Sequence, residues 1–263
     1  MKLTQRQTRE RQFFNHNANI NQEVPVYFDS ISHLEDRPWN SYWCIDKLAL
    51  HHFKGRGENI LDLGCGSGEN SIKLAKIGYE VHGIDISPNT IKLAKKITHQ
   101  HGLENKIKFS AGIAEKLNFP NNYFDYVYGV DILHHVEIEP TINEVWRVLK
   151  PGGKAFFREH LRVTLLDSIR ETKLVRYFFP KEESHEKGIT HDERKITLEE
   201  IQIIKNIFKN VEIIKFEFIS KFYVFFNYNL KVAGELEKID WRLFRLFPFL
   251  NIFGGNGVFI LQK

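Results

Sequence analysis

The feature that constrains this chain most is a short apolar run, residues 59–63 (NILDL). It runs directly into Gly64-Cys65-Gly66-Ser67-Gly68 and then into a helical pattern over residues 67–77. The run reads as a buried strand. Glycine at alternate positions lets the backbone turn tightly and lets a ligand approach main-chain N–H groups without Cβ interference. A strand, a glycine loop and a helix in that order belong to sheets that bind ligands at the carboxyl ends of their strands. The loop also narrows the ligand. A dinucleotide fingerprint needs a small residue where this chain has Glu69, and a P-loop needs a Lys-Ser/Thr pair that does not follow. Glu69 and Asp62 would repel a pyrophosphate at a helix start. Two carboxylates suit an ammonium or sulfonium better than two phosphates.

The pattern continues downstream. Residues 80–84 read as a second strand, and Ser87-Pro88 as a helix start whose helix runs to about His101. Residues 106–110 and 123–130 read as the third and fourth strands. Residues 141–149 form a helix stopped by Lys150-Pro151-Gly152-Gly153, and residues 153–159 the fifth strand. Strands alternating with helices imply right-handed crossovers and a parallel sheet. Loops after Leu63, Ile84, Ser110 and Val130 should carry the site. Asp85, which ends the second strand, either accepts hydrogen bonds from a ribose diol or only caps the turn before Ser87-Pro88; with the glycine loop beside it, the diol is the expectation.

The stretches ILDLGCGSGENSIKLAKIG, VHGIDISP, GIAEKLNFPNNYFDYVYGVDILHHV and WRVLKPGG resemble, in order and spacing, the class I S-adenosylmethionine (SAM)-dependent methyltransferases. The resemblance covers roughly residues 58–160 and is nearest to the small-molecule group with an LHHV-type segment after the fourth strand. It implies a doubly wound, mostly parallel seven-stranded α/β sheet, with SAM as cofactor and S-adenosyl-L-homocysteine as product. By this resemblance Asp62 would lie near the methionine ammonium, and Gly64, Cys65, Gly66 and Gly68 would form the loop around the methionine moiety. Asp85 would hold the ribose, Ile86 would pack on adenine, and the Ala114 N–H would meet the adenine ring. Val130 and Asp131 would open the loop under the sulfonium. Ile113 stands where many relatives carry Asp, so adenine would be held mainly by backbone and apolar packing. The KPGG turn would be structural, and the last strand, residues 258–261, antiparallel at the sheet edge.

Transfer of methyl from sulfur is an in-line displacement that depends on positioning. A hydroxyl acceptor also needs a base, and His134 and His135 follow the fourth strand where the resemblance puts the acceptor. His160, after the fifth strand, is a lesser candidate. No metal is expected: among 12 histidines there is no H-E-x-x-H motif and no Cys/His cluster.

The flanks should define the acceptor. Residues 1–55 are read as an N-terminal helical lid with Tyr27, Trp39, Tyr42 and Trp43 toward the substrate. Residues 56–263 are the cofactor-binding domain, with substrate-side insertions over 161–250. The stretch 161–179 is apolar and basic, residues 197–208 read as a helix and 211–218 as a strand. Residues 220–250 are rich in Phe and Leu around Arg242 and Arg245. They suit a membrane surface, a lipid-like acceptor or simple core.

Composition excludes several classes. With 37 Lys+Arg against 33 Asp+Glu, the net charge of +4 gives no broad basic field. No N/D-P-P-Y/F segment follows the fourth strand; in the families this chain resembles, that segment marks methylation of planar amino groups in bases or glutamine, so the resemblance implies no nucleic-acid partner. Two cysteines exclude a disulfide scaffold, and the start lacks a secretory h-region. A cytoplasmic methyltransferase acting on a small organic acceptor is therefore expected, with oxygen slightly ahead of nitrogen or carbon. A non-catalytic methyltransferase-fold subunit and an NAD-type oxidoreductase are the rivals, and the oligomeric state is left open.

Overall fold

The computed structural model describes residues 3–20, 25–28, 31, 37–55, 57–162, 194–226 and 229–263. Most of the stretch 161–179 therefore lies outside the described residues. The core strands are β1 (Asn59–Leu63), β2 (Glu80–Asp85), β3 (Ile107–Ala111), β4 (Phe124–Val130), β5 (Leu149–His160), β6 (Asn210–Phe216) and β7 (Asn256–Gln262). They form one sheet in the order β3-β2-β1-β4-β5-β7-β6. The pairs β1–β2, β1–β4, β2–β3 and β4–β5 are parallel. β7 is antiparallel to both β5 and β6. It therefore sits inside the sheet, not at the edge as the resemblance led us to expect; β6 takes the edge.

The helices are α1 (Gln5–Ile20), α2 (Ser41–His52), α3 (Glu69–Ile77), α4 (Pro88–Gln100), α5 (Ile138–Val148), α6 (Leu198–Ile207) and α7 (Leu230–Leu246). Local chemistry sets several boundaries. The Ser87 hydroxyl accepts the Thr90 N–H at 3.0 Å, with Pro88 as the first helical residue. Thr197 and Glu200 form a reciprocal capping box on α6. α3 begins at Glu69, two residues later than expected, because Gly68 adopts φ 89° and caps it. α5 begins at Ile138, three residues earlier than expected. The KPGG segment is taken into β5 at a register shift between Phe124 and Tyr126 of its partner, so it is an irregular strand start, not a helix-ending turn.

Both faces of the sheet are covered. On one face Leu61, Leu63, Val127, Phe157 and Phe259 pack with α5 and α6 residues such as Ile142, Val145 and Ile204. On the other Ile60, Tyr128, Phe156 and Val258 pack with Ile45 and Ala49 of α2 and Ile72 of α3. A sheet buried on both faces demands continuous apolar strands, which is what made residues 59–63 legible.

The segment between β6 and β7 is organised by Asp240 of α7. Its buried carboxylate accepts N–H bonds from Phe218, Ile219 and Ser220 at 2.9, 2.7 and 2.9 Å. Asp240→Ala should strand these donors and lower stability by about 2–4 kcal/mol. A urea-unfolding midpoint within error of the parent would refute this account.

Candidate functional site

The carboxyl edge of the sheet gathers the loops that follow β1, β2, β3 and β4. Three glycines of the first loop have positive φ: Gly64 72°, Gly66 51° and Gly68 89°. They differ in their surroundings. A Cβ on Gly64 would meet Ile132 Cδ1 at 2.6 Å, and one on Gly68 would meet Phe109 Cζ at 3.0 Å. A Cβ on Gly66 would meet nothing within 4 Å. Gly66 is thus where the loop faces open space that a ligand can enter, while Gly64 and Gly68 allow close internal packing.

The loop is tied to β2. Gly64 N and Cys65 N both donate to Ile84 O, at 2.8 and 2.9 Å. The Asp85 carboxylate accepts from Gly66 N at 3.1 Å and from Ser87 N at 2.8 Å. Burial pushes the Asp85 carboxyl upward, and these two N–H groups pull it back. Asp85 therefore stands at the junction of the two loops, where its oxygens can also meet a diol.

Asp62 lies beneath, 1% exposed, and accepts from the Ser71 hydroxyl of α3 at 2.6 Å. Burial raises its carboxyl to about 7; Ser71 opposes the rise and Asp85 adds to it. A cation arriving above it would favour the ionised form. Cys65 is buried against Gly83, and burial raises its thiol well above the ordinary range, so it packs and does not act as a nucleophile.

Beyond Asp85 opens a cavity of about 480 Å³, within the range of small-molecule sites. Ile86, Gly112, Ile113, Lys116 and Asn118 line it, with Arg11 of α1. Ile113 supplies no polar atom from its side chain, but Asn118 does. The sequence pattern did not single out Asn118, because it lies beyond the position where relatives carry their acidic residue. Ala114 is buried in the core beside this cavity, and Val130 packs beneath α2.

α1 crosses this edge. Asn15 Oδ1 accepts from the Ser87 hydroxyl at 2.8 Å, and Phe14 O accepts from Thr90 Oγ1 at 3.3 Å. Arg6 donates to Glu137 and to His134 O, and His135 Nδ1 lies 3.1 Å from Glu10. The sequence showed no clear period here because α1 meets polar loops and not an apolar core.

The loop after β4 is held from below by Glu159, which the sequence reading missed. Its fully buried carboxylate accepts from Ile132 N at 2.9 Å and Leu133 N at 2.6 Å, and lies 2.7 Å from His134 Nδ1. Glu159 Oε1 is taken by the two N–H groups and Oε2 faces the ring, so Nδ1 is the His134 nitrogen that donates to Glu159 and Nε2 is the accepting one. Only alternation along β5 could have flagged Glu159, as a charge among inward-facing residues.

Next to it is a second cluster. Asp131, at φ 54°, accepts from Arg158 and, at 2.9 Å, from the Tyr42 hydroxyl. The Arg158 guanidinium stacks 4.2 Å from the Tyr42 ring. Arg158 also meets His160 Nε2 at 3.0 Å, and His160 Nδ1 meets Asn256 Oδ1 at 2.7 Å. Arginine can only donate, so Nε2 accepts and Nδ1 carries the proton. Both His160 nitrogens are committed, which removes it as a base. Asp131, His134 and Glu159 bring ligand atoms within 4.8 Å of one another. Their oxygens face N–H and O–H donors, and Arg158 already supplies the positive charge.

The aromatic residues separate. Tyr42 enters this cluster, whereas Trp43 is buried in the core with Arg37 above its ring. Trp39 lies under Lys238 of α7, and Tyr27 is exposed.

Residues 61–157 match a family model described as a methyltransferase domain. The chain is 35% identical over 108 residues to the sterol 24-C-methyltransferase of Pneumocystis carinii, covering 40% of this chain and 29% of that protein. It is 27% identical over 161 residues to the 27-O-demethylrifamycin SV methyltransferase of Amycolatopsis mediterranei, covering 54% and 59%. It thus spans less than two thirds of the length of these curated relatives. A solved SAM-dependent methyltransferase from Methanosarcina mazei is similar with a TM-score of 0.54 and 26% identity, over 81% of this chain and 96% of that one.

The raised Asp62 carboxyl has a consequence for stability. Between the ordinary aspartate value near 4 and about 7, the folded chain keeps a proton that the unfolded chain releases. This contribution is complete below about pH 4 and declines as pH rises toward 7. Asp62→Asn should flatten that decline and stabilise the ligand-free protein at pH 8 by on the order of 1–3 kcal/mol. Unfolding curves at pH 5 and pH 8 check this; an unchanged pH dependence in the variant would exclude Asp62 as the source.

Proposed function

We propose methyl transfer from SAM to a small organic acceptor as the function of this chain, which belongs to the class I SAM-dependent methyltransferases. The observation that carries the reading is the open side of Gly66, whose N–H is held by Asp85, together with the cavity lined by Ile86, the residue after Asp85. The residues fit the cofactor. Asp62 would face its ammonium, Asp85 its ribose, and Ile86, Gly112, Ile113 and Asn118 its adenine. Bound there, SAM supplies a methyl group on positive sulfur. The chain supplies position: the glycine loop and the loop pinned by Glu159 hold the two reactants in line. α1 acts as a lid that limits water at the cleft.

For a hydroxyl acceptor, His134 is the base. Glu159 fixes its proton on Nδ1, so Nε2 takes the acceptor proton. His135, paired with Glu10 on α1, holds the lid and is not the base. The acceptor lies toward Tyr42 and Asp131, under α7, and we read it as partly apolar. Oxygen remains slightly ahead of nitrogen or carbon. The similar proteins named above methylate a sterol carbon in one case and a rifamycin oxygen in the other, so the acceptor atom rests on this reading alone. Among the described residues, no helix is long and apolar enough to cross a membrane.

Calorimetric titration with SAM, after mass spectrometry excludes bound product, is the direct test. Asp85→Ala should weaken binding about 100-fold, equivalent to roughly 2.7 kcal/mol. If the parent binds no SAM, the methyltransferase reading fails and a non-catalytic subunit becomes the better account. With an acceptor from a screen of apolar alcohols, His134→Gln should lower kcat by roughly 10²–10⁴ with SAM affinity retained. It should also remove the acid limb of the pH profile. A variant that keeps both rate and profile would rule out His134 as the base.

A further inference from the structure

We propose that the segment between β6 and β7 is a docking surface for an anionic membrane. After α7 the chain makes a single 3₁₀ turn, Pro248–Phe253, none of whose side chains is buried. Here and at the helix end, Leu246, Phe247, Phe249 and Ile252 are 71%, 46%, 67% and 69% exposed. Single exposed apolar residues are ordinary, but four large ones within seven positions are not.

The charge beside them has one sign. Ile239, Arg242 and Leu246 share the outer stripe of α7, and the Arg245 guanidinium lies 3.7 Å over the Trp241 ring. The acidic residues of α7 are used elsewhere. Asp240 is buried on the 218–220 backbone, Glu237 accepts from Asn40, and Glu235 pairs with Lys238 at 2.6 Å. Apolar side chains flanked by Arg242 and Arg245 match the boundary between acyl chains and anionic headgroups. A soluble protein partner would be expected to meet a polar rim of both signs.

Position adds a second argument. β6 runs parallel to β5, because β7 is antiparallel to both. The insertion therefore leaves from the carboxyl edge that carries the glycine loop. Asn40, which caps α2 beside Tyr42, donates to Glu237 of α7. A bilayer against this tip would lie on the acceptor side of the molecule, so an apolar acceptor could reach the site from the lipid.

Vesicle flotation of the full chain tests the surface without requiring methyl transfer, so its failure and that of the catalytic reading can be told apart. The protein should float with vesicles of phosphatidylcholine and phosphatidylglycerol, and roughly tenfold less with phosphatidylcholine alone or in high salt. The double variant Phe249→Asp, Ile252→Asp should lose flotation while binding SAM as the parent does. Absence of flotation with both vesicle types, or an unaffected double variant, would overturn the proposal. Equal binding to both vesicle types would overturn the role of the arginines. A dimer seen by light scattering and abolished by the same variant, without flotation, would assign the surface to a second copy of this chain.

Discussion

The site depends on a cross-tie between the first two loops of the sheet. Ile84 O takes two N–H groups from the glycine loop, and the Asp85 carboxylate takes a third together with Ser87 N. Four main-chain donors are thereby satisfied at one strand end, in a region too buried to leave them unpaired. The tie sets the distance between the start of α3 and the start of α4. It also leaves Gly66 facing outward and places Asp85 beside the cavity behind Ile86.

A second buried carboxylate plays the same part for the loop after β4. Glu159 holds Ile132 N and Leu133 N and orients the His134 ring, so the loop after β4 is pinned to β5. Asp131 is then held at a positive φ by Arg158 and Tyr42, and brings α2 down onto β5. These charges are costly to bury alone and are each met by donors. The result is a floor of paired charges beneath the loop after β4. α1, across the loops after β2 and β4, and α7 are joined to the rest of this edge in part by polar contacts such as Asn15 with Ser87 and Asn40 with Glu237. Contacts of that kind stabilise little and can be remade.

Much of the sheet was legible because buried strands and capped helices leave local marks. Residues 59–63, Ser87-Pro88 and Thr197 with Glu200 each carry their own physical reason for the element they begin. Element boundaries slipped where a tertiary partner intervened. Gly68 delays α3 by capping it, and pairing with β4 draws KPGG into β5. The glycine loop and the strand-end carboxylates that the proposal gives to the cofactor were equally readable, since both are local features. The cluster around Asp131 and His134 was not. Arg158 and Glu159 are neighbours on β5, but the groups they and His160 meet, Asp131, His134 and Asn256, lie far from them in sequence and are unremarkable within their own strands or loops.

By itself, then, the sequence determined that a parallel sheet would present a glycine loop and two acids at its carboxyl edge, because backbone conformation and burial act over a few residues. Tertiary structure decided the rest. It placed β7 inside the sheet, committed His160 to Arg158 and Asn256, and gave His134 its tautomer through Glu159. It also turned the aromatic residues near α2 to separate fates, with Tyr42 at the site and Trp43 in the core. Those outcomes depend on which donor meets which acceptor across the sheet, and such pairings exist only once distant segments share the same few ångströms.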